Sequence, residues 1–307
     1  MIASAVVAEA TPDVPPTDRE TLPAILTLVP REERVAAMTG TIEAAIERLA
    51  GQLAQGYSVE FQQMLSFFGR FHRYSWKNTV LISIQCPHAS LVAGMRRWNS
   101  LGYTVRRGER ALWILAPVLR KELDAVTGQE VEVVSGFRPA SVFDASQLAD
   151  LDEKPLPSLE RRLPDDAEDL YQMVRARVEG HGIGVEERHL PAGVEGASLG
   201  GRIVIRPGLD SRSRLLVLLH EVTHEVEHAG ATGDVKPRHL RELEAEATAF
   251  TVAAVMGIES PFASDYLVGY QVTAEDLKAS LATVARLVRT VLAIVAPDET
   301  EVVPLAA

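Results

Sequence analysis

The stretch Leu215-Leu216-Val217-Leu218-Leu219-His220-Glu221-Val222-Thr223-His224 decides how this chain is read. Its last five residues follow the HExxH pattern, and the apolar run before them reads as a buried helix. Residues at i and i+4 lie one above the other on a helix face, so His220 and His224 can present both imidazoles to one ion. Glu221 then stands beside that ion, placed to take a proton from water. The expected cofactor is Zn2+, held in a site of the zincin type.

Such a site needs a third protein ligand and leaves one position open. The metzincin solution needs Gly and then His at fixed offsets, where this chain has Glu227 and Gly230. The other solution is a Glu on the next helix, and Arg241-Glu242-Leu243-Glu244-Ala245-Glu246-Ala247 offers three. Glu242 is the expected ligand, because Glu246 lies four residues on and can orient a ligand His. Glu244, with Thr248 at the same offset, is the alternative. His228 continues the His220–His224 face and is expected to sit behind the ligands.

The chain has 307 residues, 47% hydrophobic and 24% charged, enough for two domains of ordinary size. One cysteine, Cys86, excludes an internal disulfide and fits a reducing cytoplasm. The N-terminus lacks the basic region of a signal peptide, and no apolar stretch is long enough to span a bilayer, so no membrane association is expected.

The net charge of −11 is unevenly spread. From Ser66 to Lys121 there are ten Lys/Arg and one acid, Glu109, a local +9 that leaves −20 on the remainder. That segment interleaves cations with aromatics: Arg70, Arg73, Tyr74, Trp76, Lys77 and Asn78, then Arg96, Arg97 and Trp98, then Arg106, Arg107 and Arg110. Cations for phosphates and aromatic faces for bases are the two requirements for holding single-stranded nucleic acid. Taken alone, each Trp reads as a core residue and the arginines as a solvated face. The clustering of cations in an acidic chain favours an anionic partner.

Residues 1–35 are Pro-rich and read as a loosely attached arm. Helical spacing covers Thr39 to Leu53, Ser58 to Arg70, Trp76 to Gln85 and Leu91 to Leu101, the last ending at Gly102. Strands are expected at Tyr103–Val105, Ala111–Ala116 and Val131–Phe143. The Pro- and charge-rich stretch 149–165 reads as a linker. Beyond it come a helix over 166–180, a strand over Arg202–Ile205 expected at a sheet edge beside the cleft, and the HExxH helix capped by Asp210 or Ser211. A helix from His239 to Gly257 and a last one beginning after Thr273 complete the pattern. The fold class is α+β in two domains, an α+β module over 36–148 and a mostly helical one with a small sheet over 166–307.

Four blocks in order, Phe71–Asn78, Val92–Trp98, Val105–Arg110 and Ile114–Pro117, make the N-terminal half resemble the single-stranded-DNA-binding domain of ArdC-like antirestriction proteins. The second half, through His220–His224 and Glu242–Glu246, resembles the zincin-like metallopeptidase domain of ImmA/IrrE type that follows in those proteins. The resemblance implies His220, His224 and Glu242 as metal ligands and Glu221 as base. It also implies carriage on mobile elements and protection of incoming single strands. Three functions follow: a protease acting on a protein bound to single-stranded DNA, a non-catalytic shield with a structural or vestigial metal site, or a repressor-cleaving regulator.

Overall fold

The computed structural model describes residues 29–55, 59–123, 129–149, 151, 154, 156, 163–228, 236–260 and 273–297. Most of the expected arm and of the expected linker lies outside them, but Arg34 and Val35 do not belong to an arm. They open the first helix, α1 (Arg34–Ala54), which buries Met38, Ile42, Ala45, Ile46, Leu49 and Leu53 along one stripe. Next come α2 (Val59–Arg70), with Phe61, Met64, Leu65 and Phe68 inward, and α3 (Trp76–Gln85), where the Ser75 hydroxyl accepts from the Asn78 amide.

The segment expected as one helix over 91–101 is divided. Val92–Ala93 is a short strand, β1, and Met95–Ser100 is a helix, α4, with Gly94 between them. β2 (Leu112–Leu123) and β3 (Glu130–Asp144) form a long antiparallel ribbon, and β1 adds to the base of β3. The expected strand at Tyr103–Val105 reduces to a single bridge between Val105 and Leu148. Tyr103 is instead spent on packing, edge-on against Trp98.

The second half contains α5 (Ala167–Gly180), β4 (Gly184–Glu187), β5 (Gly196–Ser198), β6 (Arg202–Ile205), α6 (Ser211–His228), α7 (Arg238–Val255) and α8 (Ala274–Val295). Asp166 caps α5 through the amides of Glu168 and Asp169, and Thr273 forms a capping box with Asp276 on α8. At the start of α6 the Asp210 carboxylate accepts from the Ser213 amide. The sheet order is β4-β6-β5, with β4 parallel and β5 antiparallel to β6. Arg202–Ile205 is therefore the central strand, and the edge position belongs to Gly196–Ser198. Ile203, Val204 and Ile205 are buried, which an edge strand could not achieve on both faces.

One hydrophobic core runs across the two halves. Residues of α1, α2 and α3 share a cluster with those of α5, α6, α7 and α8. α2 and α7 approach closely at Gly69. A Cβ on Gly69 would stand 2.6 Å from Val255 Cγ2 and 3.3 Å from the Thr251 carbonyl, so the absent side chain lets the two backbones touch. Two smaller clusters, around Phe71 and around Trp98, complete the N-terminal half.

Candidate functional site

The HExxH residues lie on the third and fourth turns of α6, and α7 crosses beside them. His220 Nε2 and His224 Nε2 are 3.1 Å apart, and Glu242 Oε2 is 3.5 Å from the first and 3.6 Å from the second. Three ligands about 2.0–2.1 Å from a tetrahedral ion lie about 3.3 Å from one another. The triangle has the dimensions such an ion requires, and its donors are two imidazoles and a carboxylate. Among the described residues these three form a group whose ligand atoms lie within 4.8 Å of one another.

Glu246, one turn beyond Glu242, places its Oε2 3.4 Å from Nδ1 of His220. That contact fixes the ring with Nε2 turned to the triangle. Burial alone would lower the pKa of His220, but Glu242 and Glu246 raise it to about 9. Both histidines in turn hold the Glu242 carboxyl well below its ordinary value, against the opposing effect of burial. Opposite charges gathered this closely stabilise one another, and a cation held by the three ligands would take the place of the protons.

Glu221 is 8% exposed, and burial raises its carboxyl pKa against the pull of the two histidines. It lies on the same cleft wall as the ligands, in a cavity of about 550 Å³ bounded by Gly196, Val217, Arg241 and Phe250. Gly196 is needed there: a Cβ would meet Val217 Cγ1 at 2.5 Å and Glu221 Oε1 at 2.7 Å. The edge strand β5 thus presses its backbone directly against the candidate base.

What holds β5 in place is Glu225, the residue after the motif. Its buried carboxylate accepts from Ser198 Oγ (2.7 Å) and from the amides of Leu199 (3.0 Å), Gly200 (2.9 Å) and Gly201 (2.6 Å). Gly200 and Gly201 have φ of 75° and 84°, left-handed values that aim successive amides at one acceptor. The Gly200-Gly201 pair and the acid following HExxH are both visible in the sequence, yet their pairing depends on the tertiary approach of the turn to α6.

Glu244, the alternative ligand, points elsewhere. It is 1% exposed and holds Lys236 Nζ through both oxygens at 2.9 Å, and that ammonium also reaches Thr283 Oγ1 at 3.1 Å. Burial pushes its pKa up to about 7 against the attraction of Lys236, with Glu227 adding to the rise. Glu244 lies two residues from Glu242, about 200° around the helix, so the two cannot share a target. The side chain of His228 lies outside the described residues.

The candidate DNA contacts divide by burial. Arg70, Arg73, Arg96, Arg106, Arg107 and Arg110 are exposed, and Tyr74, Trp76, Lys77 and Arg97 are half-buried. Trp98 is 0% exposed and its indole N–H donates to the Phe143 carbonyl at 2.9 Å, so it cannot offer a face to a base. Asn78 is also buried, bonded to the backbone of Leu115. Both are structural, because a polar group buried at those positions must find a fixed partner. Arg70 and Arg106 keep exposure but also donate to carbonyls, Arg70 to Ala89 at 2.6 Å and Arg106 to Leu148 at 3.0 Å. Trp113 is half-buried against the core, with the Arg34 guanidinium 5.5 Å over its ring.

Residues 32–143 match the model of the N-terminal domain of anti-restriction factor ArdC. The metal-free crystal structure of the antirestriction ArdC protein from the R388 plasmid superposes with a TM-score of 0.53 at 16% identity, covering 84% of this chain and 99% of that one. A Mn(II)-bound structure of the same protein matches at 17% identity and a TM-score of 0.43, over 73% of this chain and 89% of that one. An uncharacterized protein from Bacillus anthracis is 21% identical over 258 residues, covering 70% of this chain. The chain spans only 44% of that relative's length. Residues 32–143 thus match the N-terminal domain of ArdC, and the fold follows that of the R388 ArdC protein over 84% of this chain.

Proposed function

We propose that the chain is an antirestriction-type protein. It binds single-stranded DNA through residues 36–148 and, beyond a linker at 149–165, hydrolyses peptide bonds in a DNA-associated protein through residues 166–307. The observation that carries the catalytic part is the His220–His224–Glu242 triangle with Glu221 on the same cleft wall. The DNA part is supported by the exposed cations of the N-terminal half and by the antirestriction description of the ArdC relatives.

A divalent ion in this donor set, for which Zn2+ suits the two imidazoles and one carboxylate, supplies Lewis-acid polarisation and acidifies water. The chain's own residues do the rest. His220, His224 and Glu242 would hold the ion, and Glu246, against Nδ1 of His220, keeps that ring's Nε2 toward the other two ligands. Glu221, its pKa raised by burial, accepts a proton in the cleft and returns it to the leaving amine. β5 closes one wall, so that Glu221 faces the cleft rather than bulk water. A setting inside the cell fits a single buried cysteine, and no helix among the described residues is long and apolar enough to cross a membrane.

The test is metal content, DNA binding and proteolysis measured together on the intact chain, Glu221→Gln and His220→Ala. Glu221→Gln keeps the metal and single-stranded-DNA binding and loses cleavage of proteins bound on that DNA. His220→Ala loses the metal and keeps DNA binding. Cleavage that survives Glu221→Gln refutes the mechanism. Protection of DNA that is equal in all three proteins, with no cleavage in any, replaces the protease by the non-catalytic shield.

A further inference from the structure

The β2–β3 ribbon continues well past the body of the protein. From Pro117 to Leu123 every residue of β2 is exposed, and from Glu130 to Arg138 every residue of β3 is exposed except the half-buried Val133 and Gly136. A two-stranded ribbon with neither face covered is marginally stable in water. This one also carries large apolar side chains: Leu119 is 52% exposed, Val134 57%, Phe137 48% and Leu123 73%.

The register shows that these are not scattered. Pro117 pairs with Phe137 and Leu119 with Val134, the extra residue Ser135 being taken up in a bulge. Side chains of directly opposed residues share a face, and alternate residues of one strand share it too. Pro117, Leu119, Val134 and Phe137 therefore form one apolar patch. Toward the tip the same face continues through Lys121, paired with Glu130 at 3.0 Å, and Glu132 to Leu123.

We propose that this face is a self-association surface, on which the ribbon of a second copy packs by two-fold symmetry. Charge selects that occupant. The exposed part of the ribbon, 117–123 with 130–138, carries Arg120, Lys121 and Arg138 against Glu122, Glu130 and Glu132, a sum of zero. A polyanion such as DNA gains nothing from a neutral surface whose tip is acidic on one strand. Two copies of a chain of net −11 repel, and a locally neutral contact projecting from the body is where that repulsion is least. A two-fold axis also brings a patch onto itself, so apolar side chains meet apolar side chains with both signs of charge at the rim. The inference stands independently of the proposed peptidase and DNA-binding activities.

The experiment is sedimentation velocity on the full chain over a hundredfold range of concentration, at two salt concentrations. The mass should rise from one chain to two. Leu119→Arg should abolish the rise, whereas Val131→Lys, on the opposite face, should leave it. Because Cys86 is buried, Phe137→Cys adds the one accessible thiol, and it should form a disulfide-linked dimer under mild oxidation. A single-chain mass throughout, or a dimer that Leu119→Arg leaves unchanged, overturns the proposal. So does a Leu119→Arg variant that weakens binding to a single-stranded oligonucleotide while self-association persists, since the face then belongs to DNA.

Discussion

Asn78 and Leu115 exchange two hydrogen bonds: the side-chain amide donates to the Leu115 carbonyl at 3.0 Å and its oxygen accepts from the Leu115 amide at 2.8 Å. Two turns along α3, Gln85 does the same to Trp113, at 2.9 Å in each direction. These two amides satisfy the outward-facing backbone of β2, where another strand would otherwise add.

Asn78 is therefore a fold residue. Asn78→Ala leaves a buried donor and acceptor unpaired, and stability should fall by about 2–4 kcal/mol. DNA affinity of the folded fraction should change little. Asn78→Gln carries the same groups one methylene too far and should recover only part of the loss. Urea unfolding of both variants, with oligonucleotide binding measured below the transition, checks this. Intact stability with lost binding returns Asn78 to the DNA surface.

Glu246 and Glu244 should separate cleanly. Removing the carboxylate 3.4 Å from His220 Nδ1 frees the ring, and Glu246→Ala should weaken metal binding about 10–100-fold with little loss of fold. Glu244→Ala removes the nearer carboxylate from Lys236 and leaves that ammonium with Glu227 and the Thr283 hydroxyl. It should lower stability by about 1–3 kcal/mol and leave metal affinity within about twofold. Competition with a chromophoric chelator, run with Zn2+ and with Mn2+, gives the affinities. Metal loss in Glu244→Ala without loss in Glu242→Ala reverses the assignment.

These contrasts mark what the sequence can reveal. His220 and His224 are legible because four residues on a helix fix their juxtaposition with no tertiary information. The spacing of Glu242 and Glu246 says that they share a face, but not that this face turns toward α6. That depends on how α7 packs, and Gly69 and Val255 decide it from distant parts of the chain. Trp98 and Asn78 mislead for the reverse reason, since an aromatic or amide among arginines reads alike whether it points in or out. Ile203–Val204–Ile205 announces a strand, but its central place depends on Gly196–Ser198, three residues without apolar alternation.

The clamp on Glu225 gives stability a defined pH dependence. Burial opposes ionisation, but four donors outweigh it and hold the carboxyl below its ordinary value. A group depressed on folding stabilises the fold fully above its unfolded pKa, about 4.3, and the contribution is lost as pH falls through the folded value. Glu225→Gln should cost about 1–3 kcal/mol at pH 7. The gap between variant and parent should narrow as pH drops below about 4. A gap that is constant from pH 7 to pH 3 would show that the carboxylate charge contributes nothing to the clamp.

The contact at Gly69 tests whether the two halves unfold together. Gly69→Ala gains helix propensity of up to about 1 kcal/mol, yet places a methyl 2.6 Å from Val255 Cγ2 and 3.3 Å from the Thr251 carbonyl. The backbone carbonyl cannot rotate away, and overpacking at a close helix crossing costs about 1–3 kcal/mol, so the sum should be destabilising. Val255→Ala removes the nearer clash and should recover part of the loss, a coupling readable in a double-mutant cycle. Because α2 belongs to the N-terminal half and α7 carries Glu242, the loss should appear in one transition. Near-ultraviolet signals from Trp98 and Trp113 should shift at the same denaturant concentration as the loss of bound metal. A variant that unfolds in two separated steps would show that the shared core around Gly69 does not couple the halves.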